Sequence, residues 1–196
     1  MIIVIEGLTN TGKTTLCTSL SKNYSGTCIN SLLKNDKIYK AISEVTNPVE
    51  NATIMDRNTE LSLYLALLSR KVEYIKRSNS NLIFVDRYAL SIFSYFTVVS
   101  GFSQKYVYTA INTICNQIKP DITLLLDSDY SNILLRSRNS EFSRKDLTLS
   151  QTYLGQRASM LSNVSRFTNV YRVFENNNSF EELYDNVESY LDKFLE

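Results

Sequence analysis

The sequence predicts an α/β fold with a five-stranded parallel sheet flanked by helices. Short apolar runs alternate along the chain with longer amphipathic segments, which is typical of this class. Two runs, residues 82–85 and 122–126, are almost continuously hydrophobic, as expected of strands covered on both faces. No internal repeat or linker interrupts the pattern, so we expect one domain over residues 1–196.

The predicted strands are short, and two of them end in an acid. Asp86 and Asp127 close the third and fourth strands. These acids would lie at the carboxyl edge of the sheet, where open α/β sheets bind their ligands. The predicted strands are residues 2–6, 27–30, 82–86, 122–127 and 169–174.

Helices are predicted in the intervals. Residues 14–20 can start a helix after the glycine-containing loop that follows the first strand, and residues 57–77 form a long helix with Asp56 as its N-cap. Residues 103–118 form another, which ends before Pro120. The C-terminal helix follows a capping-box pattern from Ser179 to Glu182, with apolar residues at three- and four-residue steps.

Composition narrows the classes of function. The net charge of +1, from 21 basic and 20 acidic residues, gives no strong field for nucleic acid or an anionic membrane. No apolar run approaches the ~18 residues of a membrane span, and the apolar N-terminus is too short for a signal peptide. The chain has no histidine, which excludes those catalytic triads and zinc sites that rely on an imidazole side chain. Cys17, Cys28 and Cys115 lack metal-ligand spacing, so we expect buried, reduced thiols and a cytoplasmic location.

Residues 7–14 match G-x-x-x-x-G-K-[ST], the phosphate-binding P-loop, between a predicted strand and helix. Two glycines let the loop turn its N–H groups toward phosphate oxygens, and the following helix N-terminus adds attraction for an anion. Lys13 supplies a positive charge to the β- and γ-phosphates of the nucleotide, and the hydroxyl of Thr14 is available to Mg²⁺. The predicted ATP-binding residues here are Gly7, Asn10, Thr11, Gly12, Lys13, Thr14 and Thr15.

A second motif, Asp86-Arg87-Tyr88, directly follows the third strand. The carboxylate of Asp86 is placed to hold Mg²⁺ across from Thr14. The planar guanidinium of Arg87 suits pairing with phosphate oxygens. Together with the P-loop, this motif indicates a site for two phosphate-bearing ligands.

With these motifs, the chain resembles the thymidylate kinase family. The resemblance covers nearly the whole chain in order, and the D-R-Y-x-x-S match is more specific than the P-loop alone. Four parts of the chain carry the resemblance: residues 4–8 with 13–15, residues 86–91 with Tyr95, residues 120–127 with Arg136, and Arg70 in the long helix.

The resemblance implies a P-loop kinase fold and transfer of the ATP γ-phosphoryl group to dTMP, a step of nucleotide biosynthesis, with Mg²⁺ as cofactor. Arg87 would grip the acceptor phosphate, Arg70 would contact the acceptor base, and Tyr95 would pack under the sugar. Ser91 would complete the acceptor site, and Arg136 would join the ATP site.

The resemblance also implies a short mobile lid at about residues 136–147. This segment carries Arg136, Arg138, Arg144 and Lys145, a local basic cluster in a near-neutral chain. Cations over the transferred phosphoryl group would stabilise its developing charge, and closure would exclude water. In the family that the chain resembles, a catalytic arginine comes from either the P-loop or the lid. Residues 8–11 of this P-loop contain no arginine, so the resemblance implies a lid arginine, with Arg138 and Arg144 as candidates.

Three departures from the family pattern leave the acceptor open. Thr9 stands where the family has an acid, no Arg-Pro-Gly segment follows the second strand, and Ile92 replaces a polar residue. The alternatives are a deoxynucleoside kinase, which needs a carboxylate base, and a weakly active nucleotide-binding regulatory module. Residues 57–77 and 103–118 also offer apolar faces for a possible homodimer, although these faces are equally suited to a core.

Overall fold

The computed structural model describes residues 1–30, 37–38, 56–137 and 150–195. Within these ranges five parallel strands form one sheet in the order β2-β3-β1-β4-β5, so the predicted α/β fold is confirmed. The strands are β1 (Ile2–Gly7), β2 (Thr27–Ile29), β3 (Ile83–Asp86), β4 (Ile122–Asp127) and β5 (Tyr171–Glu175). The helices are α1 (Lys13–Asn23), α2 (Arg57–Arg77), α3 (Ala89–Val98), α4 (Gln104–Cys115), α5 (Tyr130–Ser137), α6 (Ser150–Asn163) and α7 (Phe180–Leu195).

Each predicted strand is present, with bounds within two residues of the prediction. β1 lies at the centre, where Val4 pairs with Val85 on one side and Thr123 on the other. β5 begins later than predicted, after a turn in which Thr168 Oγ1 donates to the carbonyl of Val170 at 2.9 Å. The chain leaves β1 at the middle of the sheet, so the loop after β1 lies at the switch point of the fold.

Side chains cap the N-termini of three helices: the predicted caps Asp56 and Ser179, and Ser103, which was predicted as a helical residue. Asp56 accepts a hydrogen bond from the amide of Thr59 at 3.2 Å, and α2 has the predicted bounds. Ser103 accepts from the amide of Tyr106 at 3.2 Å, and α4 starts at the next residue. Ser179 accepts from the amide of Glu182 at 3.2 Å. Each cap satisfies a helix N–H group that has no partner within the helix.

The core lies on both faces of the sheet. α1 and α7 cover one face, and α2, α3 and α4 cover the other. The apolar stripes of α2 and α4, which the sequence also offered as a dimer surface, fill this core. Its members from these two helices include Leu61, Leu68, Val72, Ile75, Val107 and Ile111.

Three helices were not predicted. α3 has six buried residues out of ten, so it lacks the polar face that reveals an amphipathic helix. α5 and α6 flank the segment that the sequence indicated as a lid. Arg136, the predicted first lid residue, lies in the last turn of α5. The rest of the predicted lid, residues 138–147, lies outside the described residues.

Candidate active site

The loop between β1 and α1 depends on two glycines. Gly7 and Gly12 have φ values of 144° and 91°, in a region that L side chains rarely adopt. A Cβ on Gly7 would collide with the carbonyl oxygen of Leu126, and a Cβ on Gly12 would lie 2.8 Å from Nδ2 of Asn176. Asn10 also has a positive φ, 63°. The loop therefore has the compact, positive-φ backbone that phosphate-binding loops require.

Lys13, the first residue of α1, is 4% exposed. Its Nζ donates to the carbonyl of Leu8 and to Oγ1 of Thr11, the latter at 3.2 Å. Burial lowers the pKa of Lys13 well below its usual value, and the nearby positive charge of Arg87 lowers it further. Two cations therefore lie close together at this edge. An anion between them would relieve both the desolvation and the repulsion.

Thr14 and Asp86 meet as the sequence predicted. Oγ1 of Thr14 donates to Oδ2 of Asp86 at 2.6 Å. Asp86 is fully buried, and its Oδ1 has no hydrogen-bond partner among the described residues. A buried carboxylate oxygen without a partner is costly. A hydroxyl and a free carboxylate oxygen suit Mg²⁺, which prefers oxygen ligands and keeps several waters and substrate phosphates. These two residues therefore fit the expected metal.

The two acids at the carboxyl edge differ in their partners. Asp127, at the end of β4, accepts from Nε of Arg157 at 2.8 and 2.9 Å and from its Nη2 at 2.5 Å. This two-pronged contact raises the pKa of Arg157. Asp127 is therefore engaged in a structural ion pair, whereas Asp86 keeps an oxygen for a ligand.

Arg87 turns the chain at the end of β3. It has φ of 59°, an uncommon value for a residue other than glycine. Its Nη1 lies 3.3 Å from the carbonyl of Gly7 and 3.4 Å from Oγ of Ser91, and its Nη2 donates to Oγ1 of Thr9 at 3.2 Å. The guanidinium therefore lies against the start of the phosphate-binding loop, and it contacts the threonine that replaces the family's acid.

A sequence model described as Thymidylate kinase matches residues 5–187. The chain belongs to the thymidylate kinase family. The thymidylate kinase of Pelobacter propionicus is 27% identical over 143 residues, a match that spans 69% of this chain and 65% of that protein. The chain thus matches slightly less than two thirds of that relative's length.

Solved thymidylate kinases share the fold. The structure from Candida albicans superposes with a TM-score of 0.78 at 19% identity, over 98% of this chain and 91% of that one. The structure from Ehrlichia chaffeensis gives a TM-score of 0.69 at 17% identity, over 97% of this chain and 98% of that one. These likenesses show the P-loop kinase fold of the family.

Behind the site of this thymidylate kinase family member, Glu6 organises the start of α3. Its Oε1 accepts from the amides of Tyr88 (2.9 Å), Leu90 (3.0 Å) and Ser91 (3.4 Å). Its Oε2 accepts from the hydroxyl of Ser91, a predicted acceptor-binding residue. Burial raises the pKa of Glu6, and the hydrogen bonds from Ser91 and Tyr88 oppose this rise. Sequence reasoning missed Glu6, although an acid in an apolar strand was the available signal.

Lys71 is a second residue that sequence reasoning missed. It lies on α2, is 4% exposed, and donates to the carbonyls of Asp86 (2.9 Å) and Arg87 (2.8 Å). Burial lowers the pKa of Lys71 to about 8, while Asp86 and Glu6 oppose this shift. Lys71 therefore supports the turn from which both predicted ligand-binding side chains of the motif project.

The far side of the phosphate-binding loop is held by Asn176, a third missed residue, which follows β5. Its Nδ2 donates to the carbonyl of Thr11 at 3.0 Å. Arg136 donates through Nη2 to the carbonyl of Asn176 at 2.8 Å, and its Nη1 lies 3.5 Å from the carbonyl of Asn10. The structure thus brings Arg136 to the loop, as its predicted role in ATP binding requires.

The remaining predicted residues lie around this cluster. Arg70, next to Lys71 on α2, pairs with Glu73 at 2.5 Å and lies over the ring of Tyr74. Tyr95 is one turn beyond Ser91 on α3, and its hydroxyl donates to Glu60 at 3.0 Å. Thr15 is exposed near the start of α1. Arg138 and Arg144 lie outside the described residues.

Two kinds of feature are absent from the part of the chain that the structure describes. No cluster of three or more histidine, cysteine, aspartate or glutamate side chains is arranged to hold a metal ion within residues 1–30, 37–38, 56–137 and 150–195. No helix in these ranges is long and apolar enough to cross a bilayer. A magnesium ion at Asp86 and Thr14 would accordingly take its other ligands from substrate and water.

Proposed function

We propose that this protein transfers the γ-phosphoryl group of ATP to a deoxynucleoside monophosphate, with dTMP as the acceptor. One observation carries the proposal. Lys13 and Arg87 both donate to the loop at residues 7–14, Lys13 to the carbonyl of Leu8 and Arg87 to Oγ1 of Thr9 at 3.2 Å, and the backbone of this loop is shaped for phosphate. Two neighbouring cations suit a reaction in which the phosphates of two substrates meet, with Lys13 at the ATP phosphates and Arg87 at the acceptor phosphate. The family membership supplies the class of reaction.

The donor half of the site comprises the loop at residues 7–14 with Asp86 and Arg136. Backbone N–H groups of Gly7, Asn10, Thr11 and Gly12 and the start of α1, with Thr15, would bind the ATP phosphates. Lys13 would leave the carbonyl of Leu8 to contact the β- and γ-phosphates. When bound at Thr14 and Asp86, Mg²⁺ would neutralise phosphate charge.

The acceptor half comprises Arg87, Ser91, Arg70 and Tyr95. Arg87 would hold the acceptor phosphate with its planar fork, in line with the γ-phosphate. Arg70 would contact the base, and Tyr95 would pack under the sugar and disfavour a 2′-hydroxyl. Arg138 and Arg144 are proposed as the lid cations that stabilise the transferred group. This chain's role is thus positioning and charge neutralisation, because phosphoryl transfer asks little covalent chemistry of the protein.

A deoxynucleoside kinase is less well supported by the described carboxylates. Such an enzyme needs a carboxylate base for the acceptor hydroxyl. Glu6 already accepts four hydrogen bonds from the start of α3, and Asp127 is paired with Arg157. Asp86, which accepts a hydrogen bond from Thr14, is proposed to hold the metal. These engagements support a phosphate acceptor held by Arg87.

The direct test is an acceptor screen with purified protein, ATP and Mg²⁺, in which ADP release is measured. The acceptors are dTMP, dUMP, the other monophosphates and the free nucleosides. Turnover with dTMP supports the proposal, and turnover with thymidine but not with dTMP overturns it. ATP binding without turnover on any acceptor would indicate a regulatory module instead.

Assembly and location also belong to the proposal. We propose a cytoplasmic protein and a homodimer. The core already uses the main apolar stripes of α2 and α4, but Tyr74 and Tyr106 on these helices are 43% and 54% exposed and are available for a contact. Light scattering coupled to gel filtration would measure the mass in solution, and a monomer at all concentrations would remove the homodimer.

A further inference from the structure

Two of the three cysteines lie in contact. The sequence predicted three buried thiols, but Cys28 is only half-buried because it lies on β2, at the edge of the sheet. Cys17, on α1, is fully buried. Their Sγ atoms are 2.8 Å apart, roughly 0.8 Å more than the ~2.05 Å of a disulfide bond. All three cysteines are free.

We propose that Cys17 and Cys28 form a thiol-modification site that a small disulfide oxidises to an intramolecular disulfide. No sequence motif indicates this pair, because the spacing of the two cysteines matches no metal or redox motif. α1 and β2 bring them together from two different elements. The proposal is independent of the phosphoryl-transfer activity.

The environment assigns a different role to each thiol. The contact between the two sulfur atoms lowers the pKa of the Cys28 thiol, and that contact and burial together raise the pKa of Cys17. Cys28 is also the more exposed of the two. Cys28 is therefore the attacking sulfur, since reactivity follows thiolate character and access. Cys17 is the resolving sulfur.

The reaction balances in two exchange steps. The Cys28 thiolate attacks one sulfur of the small disulfide, forms a mixed disulfide and releases one small thiol. Cys17 then attacks Cys28 Sγ, and the second small thiol leaves. The protein loses two protons and two electrons, and the small disulfide takes them up and is reduced to two thiols. The second step is intramolecular and is favoured by the existing contact.

Cys115 provides the matched control. It is free and 8% exposed on α4, within the core on the opposite face of the sheet from Cys17 and Cys28. Its thiol lies next to the Tyr88 hydroxyl, which lowers its pKa, but burial has the larger effect and raises the pKa to about 11. Burial and a raised pKa both make a thiol slow to react. We therefore expect Cys115 to stay reduced under conditions that oxidise the pair.

The experiment treats the folded protein with oxidised glutathione, blocks remaining thiols after denaturation, and maps peptides by mass spectrometry. We expect free thiols to fall from three to one, with a peptide that links Cys17 to Cys28 and disappears after reduction. In the Cys115→Ser variant, the number of free thiols should fall from two to none. Cys28→Ser should keep both of its thiols.

Three results would overturn the proposal. The first is retention of all three thiols, which would make the pair an inert core contact. The second is a stable mixed disulfide on Cys28 without the Cys17 linkage. The third is equal loss of Cys115, which would indicate unfolding rather than a specific site.

Discussion

The proposed donor half of the site is built mainly from backbone, whereas the proposed acceptor half is built from side chains on two helices and on the turn after β3. In the donor half, Gly7 and Gly12 hold φ values that side chains rarely adopt, and Asn176 donates to the loop. In the acceptor half, Arg70 pairs with Glu73 and Tyr95 with Glu60. A backbone cradle is fixed before a ligand arrives, whereas the paired side chains must exchange protein partners for substrate.

This difference separates phosphate binding from acceptor choice. Phosphate binding is local and preorganised, so it depends on a short motif. In the proposed site, acceptor choice would depend on which side-chain pairs open, and these pairs join residues of α2 to one another and to α3. Lys71 connects the two halves, because it holds the carbonyls of both Asp86 and Arg87.

The largest expected effect tests the donor half. Lys13→Ala should lower turnover by about 10³-fold or more, because a cation aimed at the transferred phosphoryl group is lost. Steady-state ADP release measures this loss, and circular dichroism checks that the fold is retained. Lys22→Ala, an exposed lysine on the same helix, is the matched control and should keep full activity. A folded, active Lys13→Ala would remove the phosphate role of the loop.

The next prediction concerns Lys71, which contacts residues of both the donor half and the acceptor half. The pKa of Lys71 falls from 10.5 to about 8 on folding, so the unfolded chain holds more protons between these values. Stability therefore rises with pH across this window. The neutral amine can still donate to both carbonyls. Relative to Lys71→Met, the wild type should gain roughly 3 kcal/mol of unfolding free energy from about pH 7.5 to 10.5.

Denaturant unfolding without Mg²⁺ at several pH values measures this difference. Lys76→Met, an exposed lysine on the same helix, should show no such dependence relative to wild type. A constant difference between wild type and Lys71→Met would mean that the lysine keeps an ordinary pKa in the folded protein.

A smaller effect tests the acceptor half. Arg87→Ala should raise the acceptor KM by about 10–100-fold and the ATP KM far less, because a charge-assisted contact to the acceptor phosphate contributes about 1.5–3 kcal/mol. Arg77→Ala, on the exposed end of α2, is the control. Full steady-state matrices of both substrates separate the two constants. Equal increases in both KM values would move Arg87 out of the acceptor half.

The smallest effect returns to the donor half. Asn176→Ala removes the hydrogen bond to Thr11 and should raise the ATP KM by about 2–10-fold, with the acceptor KM unchanged. Asn178→Ala, an exposed neighbour, should leave both constants at wild-type values. If the acceptor KM changed instead, the loop after β5 would belong to the other half.

Sequence patterns predicted those parts of the fold that depend on local periodicity. The strands and α2 follow from apolar runs, helical spacing and the Asp56 cap. α3 was missed because it is apolar on most of its surface, and such a segment has no period to detect. α5 was missed because its last turn carries the basic residue Arg136, which the sequence indicated as the start of a lid.

The phosphate-binding loop, the Asp86–Arg87 motif and the family could be predicted from the sequence, because each depends on short runs of residues whose spacing indicates their chemistry. The three-dimensional structure was needed to find that Asp86 has an oxygen without a hydrogen-bond partner among the described residues while Asp127 is paired, and that Glu6, Lys71 and Asn176 hold the loop and the turn around the proposed site. It also brought Cys17 against Cys28. The physical reason is that burial, charge pairing and contact join residues far apart in the chain, and no local pattern encodes which partner each side chain meets.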